Sequence, residues 1–165
     1  MSKLIIIRGN SGSGKTTVAK ALQKKFGPNT MLISHDMVRM EILNVRSKEG
    51  VIRSLPLMIE LIKYGRQNSE VTILEGILPA EDYNALFETA LIEYGNDIHA
   101  FYYDIPFEET LVRHGTKPNR NDFGEADMRR WWKENDRLPM IAETTISKEK
   151  SIHETVEMIY GMATE

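Results

Sequence analysis

Apolar residues fall along this chain in short runs that alternate with spaced stripes, and the alternation continues to the C-terminal end. Leu4-Ile5-Ile6-Ile7 is an unbroken apolar run leading into Gly9, as expected of a central strand buried on both faces. From Thr16 the period changes. Val18, Leu22 and Phe26 recur every fourth residue until Gly27-Pro28 ends the segment, which predicts a helix.

The same unit recurs downstream. Residues 31–33 read as a second strand and 36–43 as the start of a helix. Leu57, Met58, Leu61 and Ile62 form a helical stripe behind Pro56, which is expected in the first turn, where its missing N–H needs no partner. Residues 71–74 read as a third strand. Tyr83, Leu86, Phe87, Ala90, Leu91 and Tyr94 then trace one helix face, closed by Gly95-Asn96. Residues 98–103 supply a fourth strand, and Pro106, Glu108 and Glu109 suit the first turn of the next helix. The polar stretch 115–124 reads as a loop, 125–136 as a helix, and 141–146 as a weak last strand. Ile152, Val156, Ile159 and Tyr160 line a final helix. Strands alternating with helices imply a parallel sheet of about five strands covered on both faces, a three-layer α/β/α sandwich.

Composition narrows the possibilities. The 165 residues suffice for one substantial core and are too few for a second full domain, so residues 1–165 are expected to fold as one domain. Without cysteine there are no disulfides or thiolate metal sites, and the four histidines are not paired at ligand spacing, so any metal is expected to be oxygen-bound. No apolar run approaches the roughly 20 residues of a membrane span, and no signal-like h-region opens the chain, which predicts a cytoplasmic protein with no membrane partner. The net charge of −3 argues against a general affinity for nucleic acid. Monomer and homodimer are both compatible with the sequence.

Gly9-Asn10-Ser11-Gly12-Ser13-Gly14-Lys15-Thr16 fits G-x-x-x-x-G-K-[ST] at every fixed position and lies between a predicted strand and a predicted helix. In that context the backbone N–H groups form a concave anion site at the positive end of the helix dipole. Lys15 is expected to reach the β- and γ-phosphates of a nucleotide, and the Thr16 hydroxyl to ligate the bridging magnesium. Thr17 either touches the α-phosphate or serves only as a first-turn residue.

Several further segments, in order, carry a resemblance. They are Ile5-Ile6-Ile7-Arg8-Gly9 into the loop, Ser34-His35-Asp36-Met37-Val38-Arg39, Leu74-Glu75-Gly76, and the run from Tyr102-Tyr103-Asp104-Ile105-Pro106 through Glu108-Glu109-Thr110-Leu111-Val112-Arg113. The chain resembles the small P-loop kinases, the group that includes shikimate, gluconate and adenylyl-sulfate kinases, chloramphenicol phosphotransferase, zeta-toxin-like kinases and nucleoside monophosphate kinases. The resemblance implies ATP and Mg2+ as cofactors and a small-molecule phosphoryl acceptor. It implies that Asp36 accepts the proton of the attacking hydroxyl, the alternative being a helix-capping carboxylate. Arg39, one turn on, is expected to anchor the acceptor. Glu75 is expected to hold magnesium through water or to bind the acceptor. The brief 44–56 segment, with Arg46, Lys48 and Arg53, is where an acceptor would also be met, with Arg53 a further substrate-binding candidate. Arg113 and Arg120 look like the arginines of a lid at about 114–124, with Arg113 against the nucleotide and Lys117 competing with Arg120 for the phosphates.

Met128, Trp131 and Trp132 share one helix face and are expected to pack in the core, and no histidine is given a role. The leading expectation is an ATP-dependent kinase acting on a hydroxyl of a metabolite, nucleoside or antibiotic. A nucleoside monophosphate or polynucleotide 5′ kinase is the first alternative, and an ATP-gated binding switch is the second. The Asn-Lys-x-Asp tetrapeptide of GTP switches does not occur.

Overall fold

Five parallel strands, each followed by helix, make up the computed structural model, which describes residues 2–165. In chain order they are β1 (Lys3–Gly9), α1 (Lys15–Phe26), β2 (Thr30–Ser34), α2 (His35–Met37), a π-helical turn (Val38–Ile42) and α3 (Lys48–Asn68). β3 (Val71–Gly76), α4 (Asn84–Tyr94), β4 (Ile98–Tyr103), α5 (Phe107–Gly115), α6 (Glu125–Trp131), β5 (Glu143–Ile146) and α7 (Ile152–Thr164) follow. The strand order is β2-β3-β1-β4-β5.

β1 occupies the centre because it can be buried on both sides. Leu4 and Ile6 face Met58 and Ile62 of α3 and Leu86, Phe87 and Tyr94 of α4. Ile5 and Ile7 face Val18 and Leu22 of α1 and Val156 and Ile159 of α7. The period-2 alternation of the strand thus sorts successive isoleucines into two separate apolar layers. Among the described residues no helix is long and apolar enough to cross a membrane.

Arg8 is the exception in this strand. It continues the Leu4–Ile6 face and is 0% exposed. Its guanidinium donates to both carboxylate oxygens of Glu143, at 3.1 and 2.9 Å, to Asp136 Oδ2 at 2.8 Å, and to the Leu78 carbonyl at 3.2 and 3.1 Å. The rings of Phe87 and Tyr102 lie 5.6 and 5.5 Å from its centre. Asp136 also accepts from the Ala80 N–H, and Glu143 from the Leu138 N–H, so the two acids tie two loops, 77–83 and 132–142, to one buried cation.

Two helices differ from the sequence expectation. α3 begins at Lys48, so Pro56 lies inside it rather than in its first turn. Ser47 caps the earlier start by accepting from the Glu49 N–H, and Pro56 sits on the exposed side, where water can satisfy the carbonyl that lost its N–H partner. α6 ends at Trp131 instead of continuing to 136, because the Asn10 side chain captures both backbone groups of Lys133, donating to its carbonyl and accepting its N–H, each at 2.8 Å. Of the three residues expected in the core, only Met128 is buried. Trp131 is exposed against Phe123, and Trp132 is partly exposed with its indole N–H on Glu134.

Removing one partner of the Arg8 cluster leaves a buried charge uncompensated. Glu143→Ala is therefore expected to lower the unfolding free energy by about 3–5 kcal/mol, read as a drop in the urea midpoint at unchanged slope. A loss below about 1 kcal/mol would show that Glu143 is dispensable to Arg8.

Candidate functional site

The glycine loop joins β1 to α1 at the carboxyl edge of the sheet, flanked by the ends of β3 and β4. Gly12 has φ +83°, and a Cβ there would sit 2.6 Å from the Thr110 carbonyl, so the loop can press against α5 only with glycine at this position. Ser13 Oγ and Lys15 Nζ both donate to the Asn10 carbonyl, at 2.6 and 2.8 Å. Burial brings the Lys15 amine down to about 8, with the carboxylates of Glu75 and Asp36 pulling it back up. Asn10, by contrast, directs its side chain away from the loop's concave face to Lys133.

Glu75, at the end of β3, is 2% exposed. Its Oε1 accepts from the Thr16 hydroxyl at 3.0 Å and from Ser34 Oγ at 2.7 Å, joining the ends of β2 and β3 to the first turn of α1. Among the described residues no three His, Asp or Glu side chains converge on a metal. One hydroxyl beside one carboxylate nonetheless suits Mg2+, which takes few protein oxygens and fills its octahedron with water and phosphate oxygens.

Asp36 lies in α2 and makes no capping bond, since Ser34 is the N-cap. Its side chain is 64% exposed and accepts from Arg39 Nη2 at 3.1 Å. Asp36, Glu75, Lys15 and Thr16 line one cleft of about 750 Å³, together with Met37, Met40 and Glu41. Arg39 stands behind Asp36 rather than in the cleft wall, and its Nη1 donates to the Arg46 carbonyl at 3.3 Å. Arg53 does not join the site. It lies on the exposed face of α3, paired with Glu49 at 2.6 Å.

The segment after α5 is held from inside. His114 is buried, and its Nε2 lies 3.1 Å from the Arg120 carbonyl and 2.9 Å from the Phe123 carbonyl. Both are acceptors, so Nε2 carries the proton. The imidazole stacks on Phe123 at 4.3 Å. Arg113 bridges three elements, with Nε on Glu109 at 3.1 Å, Nη1 on the Ser13 carbonyl at 2.6 Å and Nη2 on the Lys148 carbonyl at 3.2 Å. It lines a second cleft, of about 530 Å³, with Thr17, Tyr103 and residues 148–152.

Arg120 stands apart from both clefts. It is exposed, donates only to the Lys117 carbonyl at 3.3 Å and lines neither cleft. Lys117 lines both. Burial lowers its amine, with Glu75 and Asp36 acting in the opposite direction. Its position two residues past α5 turns it inward, whereas Arg120 falls on the outer side of the turn that His114 pins. Sequence reasoning gave no role to His114 or His35, because a lone histidine carries no signal until its partners are known. His35 is buried against Tyr83. The arrangement as a whole can hold a polyphosphate on backbone N–H groups and two lysines, with one exposed carboxylate facing it.

Comparison with known proteins agrees with this geometry. The sequence model of the Zeta toxin family matches residues 2–96. Among solved structures, the APS kinase of Mycobacterium tuberculosis, in complex with AMPPNP and APS, superposes with a TM-score of 0.71 at 18% identity, covering 99% of this chain and 98% of that one. A gluconokinase from Sinorhizobium meliloti 1021 gives 0.67 at 13% identity, over 98% and 91% of the two chains. The tunicamycin resistance protein of Deinococcus radiodurans gives 0.65 at 19% identity, over 98% and 95%. At these identities the likeness establishes the fold.

His35 also generates a pH dependence. Burial, and then the Arg39 charge, lower its imidazole from 6.5 to about 4, with Asp36 opposing and Lys15 adding to the shift. The unfolded chain therefore binds a proton that the folded one refuses. Stability is fully present above about pH 6.5 and is lost as pH falls toward 4, by roughly 3 kcal/mol from this group. Urea titrations of the protein and of His35→Gln across that range are expected to diverge with pH; a constant difference would contradict it.

Proposed function

We propose that this chain, which belongs to the Zeta toxin family, is an ATP-dependent phosphotransferase that moves the γ-phosphoryl group to a hydroxyl of a small molecule. The family match and the solved kinase structures bear out the resemblance to small P-loop kinases read from the sequence. One observation carries it. The glycine loop lies between two clefts that share Gly14, Thr17, Lys117 and Pro118, with Arg113 in one and an exposed carboxylate, Asp36, in the other. A nucleotide base and ribose fit the Arg113 cleft, a small acceptor fits the Asp36 cleft, and the phosphates span the loop between them.

In this reading Lys15 leaves the Asn10 carbonyl for the β- and γ-phosphate oxygens, and Arg113 and the lid at about 114–124 cover the donor. Thr16 and Glu75 would hold Mg2+, which supplies charge neutralisation between the β- and γ-phosphates. Asp36 takes the proton of the acceptor hydroxyl as its oxygen bonds to the γ-phosphorus and the bond to ADP breaks. Lys117 stands where charge collects on the transferring group, taking the role expected of Arg120. A phosphorylated acceptor would need an anion clamp free in the cleft. Arg39 is already engaged by Asp36 and the Arg46 carbonyl, which favours a hydroxyl acceptor over a monophosphate.

Transfer from labelled ATP to a panel of sugars, nucleosides, aminoglycosides and monophosphates tests the reaction. Asp36→Asn is expected to lower turnover by roughly 100- to 10,000-fold and to leave ATP affinity, read by calorimetry, nearly intact; unchanged turnover would remove Asp36 from the mechanism. In the same assay Lys117→Ala is expected to reduce kcat far more than Arg120→Ala, and the reverse order would restore the arginine to the lid role.

A further inference from the structure

The chemistry above uses neither His35, Tyr83 nor Ser54, yet the three are joined and buried, with 5%, 0% and 0% of their surface exposed. His35 Nε2 is hydrogen-bonded to the Tyr83 hydroxyl. That hydroxyl lies 3.0 Å from Ser54 Oγ, which reaches the Val51 carbonyl at 3.2 Å. The chain therefore runs from the residue after β2, through the residue before α4, into the first half of α3.

Counting protons gives the chain a direction. The Val51 carbonyl can only accept, so the Ser54 hydroxyl donates to it. Ser54 Oγ then accepts the Tyr83 O–H, and the Tyr83 oxygen accepts the His35 Nε2–H. His35 is thereby the neutral Nε2–H tautomer, with a bare lone pair on Nδ1, an atom that has no partner. Reversing the chain would put the proton on Nδ1 and strand a buried donor, the costlier defect. The lowered basicity of this imidazole agrees with the neutral form.

The chain ends where support is otherwise thin. α2 has three residues, gives way to a π-helical turn and has no side-chain cap, because Ser34 is committed to Glu75. Asp36 is open to solvent on one side and held by Arg39 on another, and its buried neighbour His35 anchors the backbone beneath it. Gly76 makes room for that neighbour: a Cβ there would lie 2.5 Å from the His35 Cβ. At the far end, Gly50 of α3 packs against the Arg39 stem, where a Cβ would be 3.1 Å from Cδ. The first contact seats the turn on the end of β3, and the second holds it against α3.

We propose that His35 is a positioning residue which, through Tyr83 and Ser54, holds Asp36 and Arg39 in register with α3 and so fixes the acceptor half of the site independently of the phosphate loop. This rests on the proposed phosphotransferase reading for its catalytic meaning but not for its structural content, and the test separates the two. In ¹⁵N-histidine spectra, His35 is expected to show the Nε2–H tautomer and no titration near pH 6.5. In Tyr83→Phe the backbone amides of 35–46 are expected to shift and broaden, while those of 9–17 stay in place. With ATP and Mg2+ alone, hydrolysis to water is expected to fall roughly ten- to a hundredfold in Tyr83→Phe at unchanged KM for ATP. His35→Gln, which keeps a donor toward Tyr83, is expected to retain most of that rate, and His35→Ala is expected to lose it. An Nδ1–H tautomer, undisturbed 35–46 amides, or wild-type turnover in Tyr83→Phe would overturn the proposal. If the wild-type protein neither hydrolyses nor transfers, the phosphotransferase reading fails, and the amide pattern alone decides whether His35 positions the turn.

Discussion

A guanidinium sealed inside the sheet, one residue before the phosphate loop, sets the terms for the rest of this protein. Arg8 continues a strand face that is otherwise isoleucine and leucine, and a charge there is tolerable only if matched at close range. The match comes from far along the chain: Glu143 opens β5 and Asp136 sits in the connection before it. The edge strand and its approach loop are therefore drawn in over the end of β1, and Asn10 fastens the same loop through Lys133. The phosphate loop thus inherits a fixed foundation on its β4 side, and through Glu75 and Ser34 it gains one on its β3 side.

The two halves of the site differ in how far they are built in advance. On the Arg113 side Ser13 and Arg113 already have partners, and Lys15 rests on a carbonyl of its own loop. On the Asp36 side a short helix and a π-helical turn carry an exposed carboxylate over an open cleft.

Much of this was legible in the sequence. The central strand, the loop at 9–16 and the order of strands and helices follow from apolar periodicity and from one highly specific motif, because local patterning decides them. The start of α3 was not, since Ser47 signals a cap only once the exposed side of Pro56 is known. The end of α6 was not either, because it is imposed by a side chain more than a hundred residues earlier. The same holds for the site. Lys15, Thr16, Glu75 and Asp36 converge as their positions at strand ends suggested, but the choice between Lys117 and Arg120 depends on the turn that His114 pins, and His35 is unremarkable until Tyr83 is beside it.

Arg113 shows what such convergence demands of a single side chain. Three nitrogens of one planar fork reach the helix it stands on, the phosphate loop and the turn before α7, each in a different direction. An ammonium has three donors but all on one nitrogen, so it cannot span acceptors spread around a fork as wide as a guanidinium. At this position the shape of the cation counts for more than its charge. Arg120, with a single carbonyl partner at the surface, is under no such demand, so two arginines seven residues apart face quite different limits on replacement.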